Sequence, residues 1–284
     1  MMPWSEIPAA WTIPAVAVLG LIVGSFLNVV IHRLPRMMQR EWEQEARAIL
    51  EQPEAPESPR FDLWWPRSQC PHCGRGIRAR ENIPVFSFLL LRARCPGCGG
   101  RISWQYPLVE LLTAALFAAT VWHLGAGAAG LAALVFTGML IAAAGVDART
   151  TLLPDQLTLP LLWLGLVANL FGLFTDLESA VIGAVAGYLT LWTVYHGFRL
   201  LTGKEGMGFG DFKLLAALGA WLGWQALPLI LLLASLVGAV VGIALILLLG
   251  RDRNVPIPFG PYLAAAGWLA LIGGDTLIAA YLPP

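Results

Sequence analysis

"LPLILLLASLVGAVVGIALILLL" (residues 227–249) runs for 23 residues without one charged side chain. A helix that crosses the hydrocarbon of a bilayer needs about 20 apolar residues, so this stretch decides the solvent: it is lipid. Working outward, comparable stretches lie near 11–31, 105–123, 128–146, 157–174, 179–198, 212–225 and 259–281. They predict an all-α polytopic membrane protein with about eight transmembrane helices. The sixth is short and could merge with the seventh through Trp224 and Gln225. Composition agrees. The chain is 57% hydrophobic and only 13% charged, against about 25% charged residues in a soluble domain. Its net charge of zero gives no reason to expect a nucleic-acid partner. The first stretch has no Lys or Arg before it and exceeds the length of a signal-peptide core, so it reads as a permanent anchor.

Lys and Arg collect in cytoplasmic loops. If 32–103 is cytoplasmic, alternation puts 147–157, 199–211 and 250–258 on the same side. All 18 Lys and Arg then fall in or within about a turn of cytoplasmic segments, while Glu6, Asp176, Glu178 and Asp275 lie opposite. The expected organisation is an N-terminal transmembrane helix (1–31), a cytoplasmic loop (32–103) and a transmembrane domain (104–284). Within the loop, "RMMQREWEQEARAIL" (36–50) predicts an amphipathic surface helix, and "EQPEAPESPR" (51–60) a Pro/Glu linker with nothing to pack.

The same loop carries "CPHCG" (70–74) and "CPGCG" (95–99). Two residues between thiols let one tight turn present both sulfurs to one ion, and two such turns close a tetrahedral site. Cys70, Cys73, Cys95 and Cys98 are the only cysteines, and a reducing cytoplasmic setting disfavours disulfides. Structural zinc is the expectation, with a disulfide or redox role as the alternative; a four-thiolate shell leaves no open position for chemistry. His72 is a possible substitute ligand.

Acids inside or beside apolar stretches are expensive and face a cavity, a partner or a reaction. "AAAGVDARTTLLPDQL" (142–157) holds Asp147 and Asp155; "GMGFGDFKLL" (206–215) holds Asp211 and Lys213; "YPLVELL" (106–112) holds Glu110. The topology places the three aspartates on one membrane side. Two carboxylates within about 3–5 Å cannot both ionise comfortably; one keeps its proton and the other activates water, which is aspartic-protease chemistry. Gly206, Gly208 and Gly210 would let the chain bend beside Asp211 and leave room for a substrate strand. Plainer readings stand next to these. Asp155, after Pro154, fits a helix cap, and so could Asp211. Glu110 and Asn28 fit interhelical hydrogen bonding, and pairs such as Gly20/Gly24 and Gly183/Gly187 fit close helix packing.

The ordered series "GSFLNVVIHRLP" (24–35), the two Cys knuckles, "NIPVFSFLLLRARC" (82–95), "YPLVELL", "DARTTLLPD" (147–155), "GMGFGDFKLLAALGAW" (206–221) and "PFGPYLA" (258–264) covers most of the chain. It resembles the prepilin leader peptidases, Gly-x-Gly-Asp aspartic peptidases of type IV pilus and type II secretion systems. The resemblance implies a bacterial inner-membrane enzyme with its active site facing the cytoplasm. Such an enzyme removes the leader of prepilins and pseudopilins and then methylates the new N-terminus with S-adenosylmethionine. It further implies Asp147 and Asp211 as the catalytic pair, with Gly208, Gly210, Asp155, Glu110 and Lys213 around the substrate channel or in support. By the same likeness Cys70, Cys73, Cys95 and Cys98 match metal ligands in a methyltransferase-associated region. One departure is Ala93, in Leu91-Arg92-Ala93-Arg94-Cys95, where the family commonly has Gly. Two other classes compete. An ion-coupled transporter would place its acids near mid-membrane in paired broken helices. A zinc-ribbon membrane scaffold without catalysis would leave the glycines before Asp211 unexplained.

Overall fold

The computed structural model describes residues 9–53, 59–250, 252 and 255–279. Glu6, the centre of the Pro/Glu linker (54–58), Arg251, Arg253 and the side chain of Asp275 lie outside the described residues. Among those described, the fold is all-helical, and the only β pairing is two isolated bridges. The chain divides into two compact units, one reaching to Trp122 and one starting at His123.

The first unit contains α1 (Ala9–Ile49), the short α2 (Phe86–Leu90) and α3 (Gln105–Leu124). At 41 residues, α1 is about 60 Å long, twice the hydrocarbon thickness of a bilayer. The segment 36–50, expected as a separate surface helix, instead continues the first apolar stretch, and Pro35 lies inside the helix. The Met, Gln, Arg, Glu and Ala that follow Pro35 are strong helix formers, and the proline removes a single ladder bond. Arg33, buried at the point where α1 leaves its apolar part, donates to the carbonyls of Asp62 (2.9 Å) and Pro66 (2.7 Å). Small residues let α1 and α3 touch: a Cβ at Gly20 or Gly24 would come within 2.6 or 2.7 Å of the Cα of Ala114 or Glu110.

The second unit packs α4 (Ala128–Thr150), α5 (Asp155–Leu170), α6 (Leu177–Thr202), α7 (Phe209–Leu222), α8 (Leu227–Leu249) and α9 (Gly260–Ile278). Its centre is α7, in which Phe212, Leu214, Leu215, Ala217, Leu218 and Trp221 are fully or almost fully buried against α5, α6 and α9. Gly183 of α6 sits on Gly219 of α7 with no room for a side chain on either. Buried polar groups fasten α5 to α7. Trp221 Nε1 donates to Leu161 O (2.7 Å), and Asn169 Nδ2 donates to Ala220 O (2.8 Å) and Trp221 O (3.0 Å). Asn169 Oδ1 accepts from the amides of Phe174 and Thr175, both at 3.1 Å, so one side chain satisfies four backbone groups.

Among the described residues, five helices are long and apolar enough to cross a membrane: α1, α3, α4, α6, and α8 with the turn before it. The chain is therefore a multi-pass membrane protein. The other three stretches expected as spans form α5, α7 and α9, of 16, 14 and 19 residues. At about 21 Å, α7 falls short of a bilayer's hydrocarbon, and it lies where protein rather than lipid surrounds it. It does not run into α8. Gly223, at φ +80°, ends it, and a 3₁₀ turn (Trp224–Ala226) precedes α8. Along α8, Leu232, Leu236, Val240, Ile243 and Leu247 form an exposed apolar stripe, the surface a lipid-facing helix presents.

Candidate functional site

The two Cys knuckles fold alike. In each, the amide of the first cysteine donates to the carbonyl five residues on (Cys70 to Arg75, Cys95 to Gly100). The glycine after the second cysteine donates back to the first (Gly74 to Cys70, Gly99 to Cys95). Gly74 at φ +68° and Gly99 at φ +71° take a left-handed conformation that a side chain disfavours. The four Sγ atoms lie within 4.8 Å of one another, with Cys70–Cys98 at 3.9 Å and Cys73–Cys95 at 4.0 Å. Sulfurs about 2.3 Å from a central ion in tetrahedral array would be about 3.8 Å apart, so the cluster fits a metal. No disulfide joins any of the four. The amides of Gly97 and Cys98 bring the Cys95 thiol down to about 6, toward the thiolate that binds metal. Arg75 and Glu81 brace the module through a two-point ion pair (3.0 and 2.8 Å), and Arg75 together with the Arg78 amide draws the Glu81 carboxyl from 4.5 to about 2.

Glu110, in the second turn of α3, is buried. Its Oε2 accepts from the Val85 amide (2.7 Å), and Ser25 also hydrogen-bonds it. Its partners are thus a loop amide and an α1 hydroxyl. Asn28 also joins α1 to α3, its Nδ2 donating to Gly24 O (3.2 Å) and to Tyr106 O (3.1 Å).

In the second unit, the last turn of α4 and the first turns of α5, α7 and α9 meet at one end of the bundle. Asp147, 4% exposed, accepts from the Gly260 amide at the start of α9 (2.8 Å). A Cβ at Gly260 would lie 2.7 Å from that Asp147 oxygen, so only glycine allows the bond as it stands. Leu153, between α4 and α5, touches both neighbouring first turns: a Cβ at Gly260 would meet its Cδ1 at 3.1 Å, and a Cβ at Gly210 would meet its Cβ at 2.5 Å. Gly210 immediately precedes Asp211, which is 8% exposed. Leu153 thus links the Gly260 turn that holds Asp147 to the Gly210 turn that carries Asp211. Asp211 Oδ1 is buried with no hydrogen-bond partner among the described residues.

None of Gly206, Gly208 and Gly210 has a left-handed backbone. Gly208 caps α7 and Gly210 is already helical, so what Gly210 supplies is space. Asp155, in the first turn of α5, pairs with Lys213 of α7 (2.6 and 2.8 Å) at a partly exposed position. It faces Lys213 rather than the other aspartates. Sequence reading missed the parts of Gly260 and Leu153. The only signal was "PFGPYLA" itself, whose contribution is a backbone N–H.

The family model described as Bacterial Peptidase A24 N-terminal domain matches residues 18–124, and the Type IV leader peptidase family model matches residues 134–243. A curated relative from Aeromonas hydrophila, called prepilin leader peptidase/N-methyltransferase, is 60% identical over 93% of this chain and 91% of its own length. Relatives of the same name from Stutzerimonas stutzeri and Pseudomonas aeruginosa are 56% and 55% identical, covering 97% and 93% of this chain and 95% and 91% of their own. No solved structure matches. The peptidase model spans both buried aspartates and the N-terminal model spans the four-cysteine cluster; with identity this high across nearly the whole of each relative, the chain belongs to the prepilin leader peptidase/N-methyltransferase family.

Proposed function

We propose that this chain cleaves the leader from type IV prepilins and type II secretion pseudopilins with Asp147 and Asp211, and then methylates the new α-amino group. The observation that carries the peptidase half is the placement of two buried carboxylates from different helices at one end of the bundle, one of them with an oxygen free of any protein donor. One member of such a pair holds a proton that polarises the scissile carbonyl, while the other takes a proton from the attacking water. The Gly260 amide fixes the Asp147 carboxylate. Gly208, where a Cβ would meet only the Asp211 carboxylate at 3.8 Å, gives a substrate backbone access beside Asp211, and Gly210 supports the site by letting Leu153 pack against α7. Asp155 and Lys213 support the site by tying α5 to α7.

The bound metal is zinc, held by Cys70, Cys73, Cys95 and Cys98 as a closed structural site that shapes the 32–103 module. S-adenosylmethionine, when bound, supplies the electrophilic methyl group. The module serves methyl transfer with 1–31 as its anchor, α3 packs with it in the first unit, and the peptidase is the unit that starts at His123. The enzyme sits in the bacterial inner membrane, embedded in lipid, with the aspartates at the cytoplasmic face, the side the Lys and Arg distribution assigns. A transporter is disfavoured because the acids cluster at helix ends rather than at mid-helix.

Processing of a pilin precursor in membranes tests this. Asn is nearly isosteric with Asp but can neither share the proton nor act as base, so Asp147→Asn and Asp211→Asn should each abolish cleavage in protein that still inserts. Asp155→Asn should retain it. Near-normal cleavage by Asp147→Asn, with loss in Asp155→Asn, would show that the wrong partner had been chosen for Asp211.

A further inference from the structure

The first unit encloses a cavity of about 330 Å³ that neither the metal cluster nor the aspartates account for. Asn28, Val29, Phe88, Ile102, Tyr106 and Glu110 are among the residues that line it, and Cys70 and Cys95 contribute to its wall. Its volume lies at the small-molecule end of ligand pockets. Three of its amide or charged side chains are more than nine-tenths buried, Asn28, Glu110 and Arg33, and Arg33 is already held by the carbonyls of Asp62 and Pro66. Asn28, 2% exposed, has both Nδ2 contacts satisfied, but its Oδ1 is buried without a donor. An orphaned acceptor of this kind costs about 1–3 kcal/mol unless something supplies the hydrogen bond. Glu110, 6% exposed, has one oxygen held by the Val85 amide, so its carboxylate is fixed in place with no cation paired to it among the hydrogen bonds and ion pairs described. Val85 itself adopts φ +59°, a conformation β-branched residues rarely take.

A ligand for this cavity should therefore carry positive charge and hydrogen-bond donors at the Glu110 and Asn28 end, on a body flat and apolar enough for Phe88 and Tyr106. Arg101, which also lines the cavity with Arg33 and Arg75, suits a carboxylate on the same ligand. We propose that the cavity is the S-adenosylmethionine site, with the Glu110 carboxylate facing the cationic end of the methyl donor and Asn28 Oδ1 accepting from one of its N–H or O–H groups. The aromatic rings line the remainder, where a sulfonium or an adenine is well accommodated. The metal cluster fixes one wall of the cavity, which ties a chemically closed metal site to methyl transfer. The inference rests on the methyl-transfer half of the proposed function.

The test uses the full chain in detergent. Equilibrium dialysis with S-adenosylmethionine should show binding that weakens about tenfold or more in Glu110→Gln and in Asn28→Leu, as expected for losing one charge-assisted or one buried hydrogen bond. Metal content and melting temperature serve as fold controls, and Gln can still accept from Val85. Ultraviolet cross-linking of labelled S-adenosylmethionine to the unmodified chain provides a second reading. Label on peptides spanning 25–33 or 82–110 supports the site. Label confined to peptides beyond 123, or unchanged affinity in both well-folded variants, overturns it while leaving methyl transfer standing. Failure of the wild-type chain to bind S-adenosylmethionine at all would remove the methyl-transfer reading as well, with leader cleavage unaffected.

Discussion

At the scale of the residue, the clearest tension lies between α2 and the second Cys knuckle. Arg92 and Ala93 adopt φ +49° and +56°, two consecutive side chains in a conformation that glycine takes without cost. The local bonding demands it: the Ala93 amide donates to Phe88 O (2.9 Å) and its carbonyl accepts from Ile102 (2.8 Å), linking α2 to the knuckle. Ala93→Gly should therefore stabilise the module by up to about 1 kcal/mol, the left-handed penalty less the added freedom of the unfolded chain. A melting temperature lower than wild type would contradict that. The sequence marked Ala93 as a departure from the family's glycine, but its backbone angle was not legible, because alanine carries no preference for the left-handed region. A second residue-scale prediction concerns Glu81. Its carboxyl is drawn down to about 2 by Arg75, so the folded state binds its proton less readily than the unfolded one. The stabilisation is complete above about pH 4.5 and is lost as pH falls toward 2. The stability difference between wild type and Glu81→Gln, followed by denaturant titration, should close over that window; a difference constant with pH would mean the pair contributes no proton linkage.

At the scale of the element, α7 carries both the core and the proposed catalytic Asp211, and its position is set by contacts at each end. At its C-terminal end Asn169 satisfies four backbone groups of α7 and the 174–175 turn. Asn169→Ala should leave several of them unpaired, at about 1–3 kcal/mol each where water cannot reach, and lower the thermal midpoint more than any surface change on α5. At its N-terminal end, Gly210→Ala would drive a methyl group into Leu153 and push Asp211 away from Asp147. Leader cleavage should then fall by at least about tenfold with a smaller effect on melting, since about 1 Å of misplacement at a catalytic group suffices. Equal activity in Gly210→Ala would mean that the aspartate pair tolerates a shifted α7. The helices themselves were legible from apolar runs, and Asp211 from the glycines before it. The length of α1 was not, because Pro35 and the onset of charge both resemble an ending. Nor was Gly260 as the partner of Asp147, 113 residues away, because a backbone amide leaves no trace in the letters beyond the glycine that exposes it.

At the scale of the whole molecule, the chemistry is distributed between two units, with the cysteine cluster and its cavity before residue 122 and the aspartates after residue 123. The prepared protein should hold about one zinc per chain, and Cys70→Ser or Cys98→Ser should lose it and destabilise the module, reducing methylation first; elemental analysis of chelator-free protein checks the metal. The division also predicts that the two activities separate by substrate. In the proposed mechanism cleavage requires a proton shared between Asp147 and Asp211, and Asp211→Asn removes it. Methyl transfer requires an uncharged α-amine and a bound donor, neither of which involves that proton. Supplied with a pilin peptide already lacking its leader, Asp211→Asn should therefore methylate at a rate close to wild type, while giving no cleavage of the full precursor. Methylation should also rise with pH as the α-amine, ordinarily titrating near 8, loses its proton. If Asp211→Asn proves unable to methylate the pre-cleaved peptide although it binds S-adenosylmethionine and melts normally, the aspartate pair takes part in both reactions and the two units do not work independently.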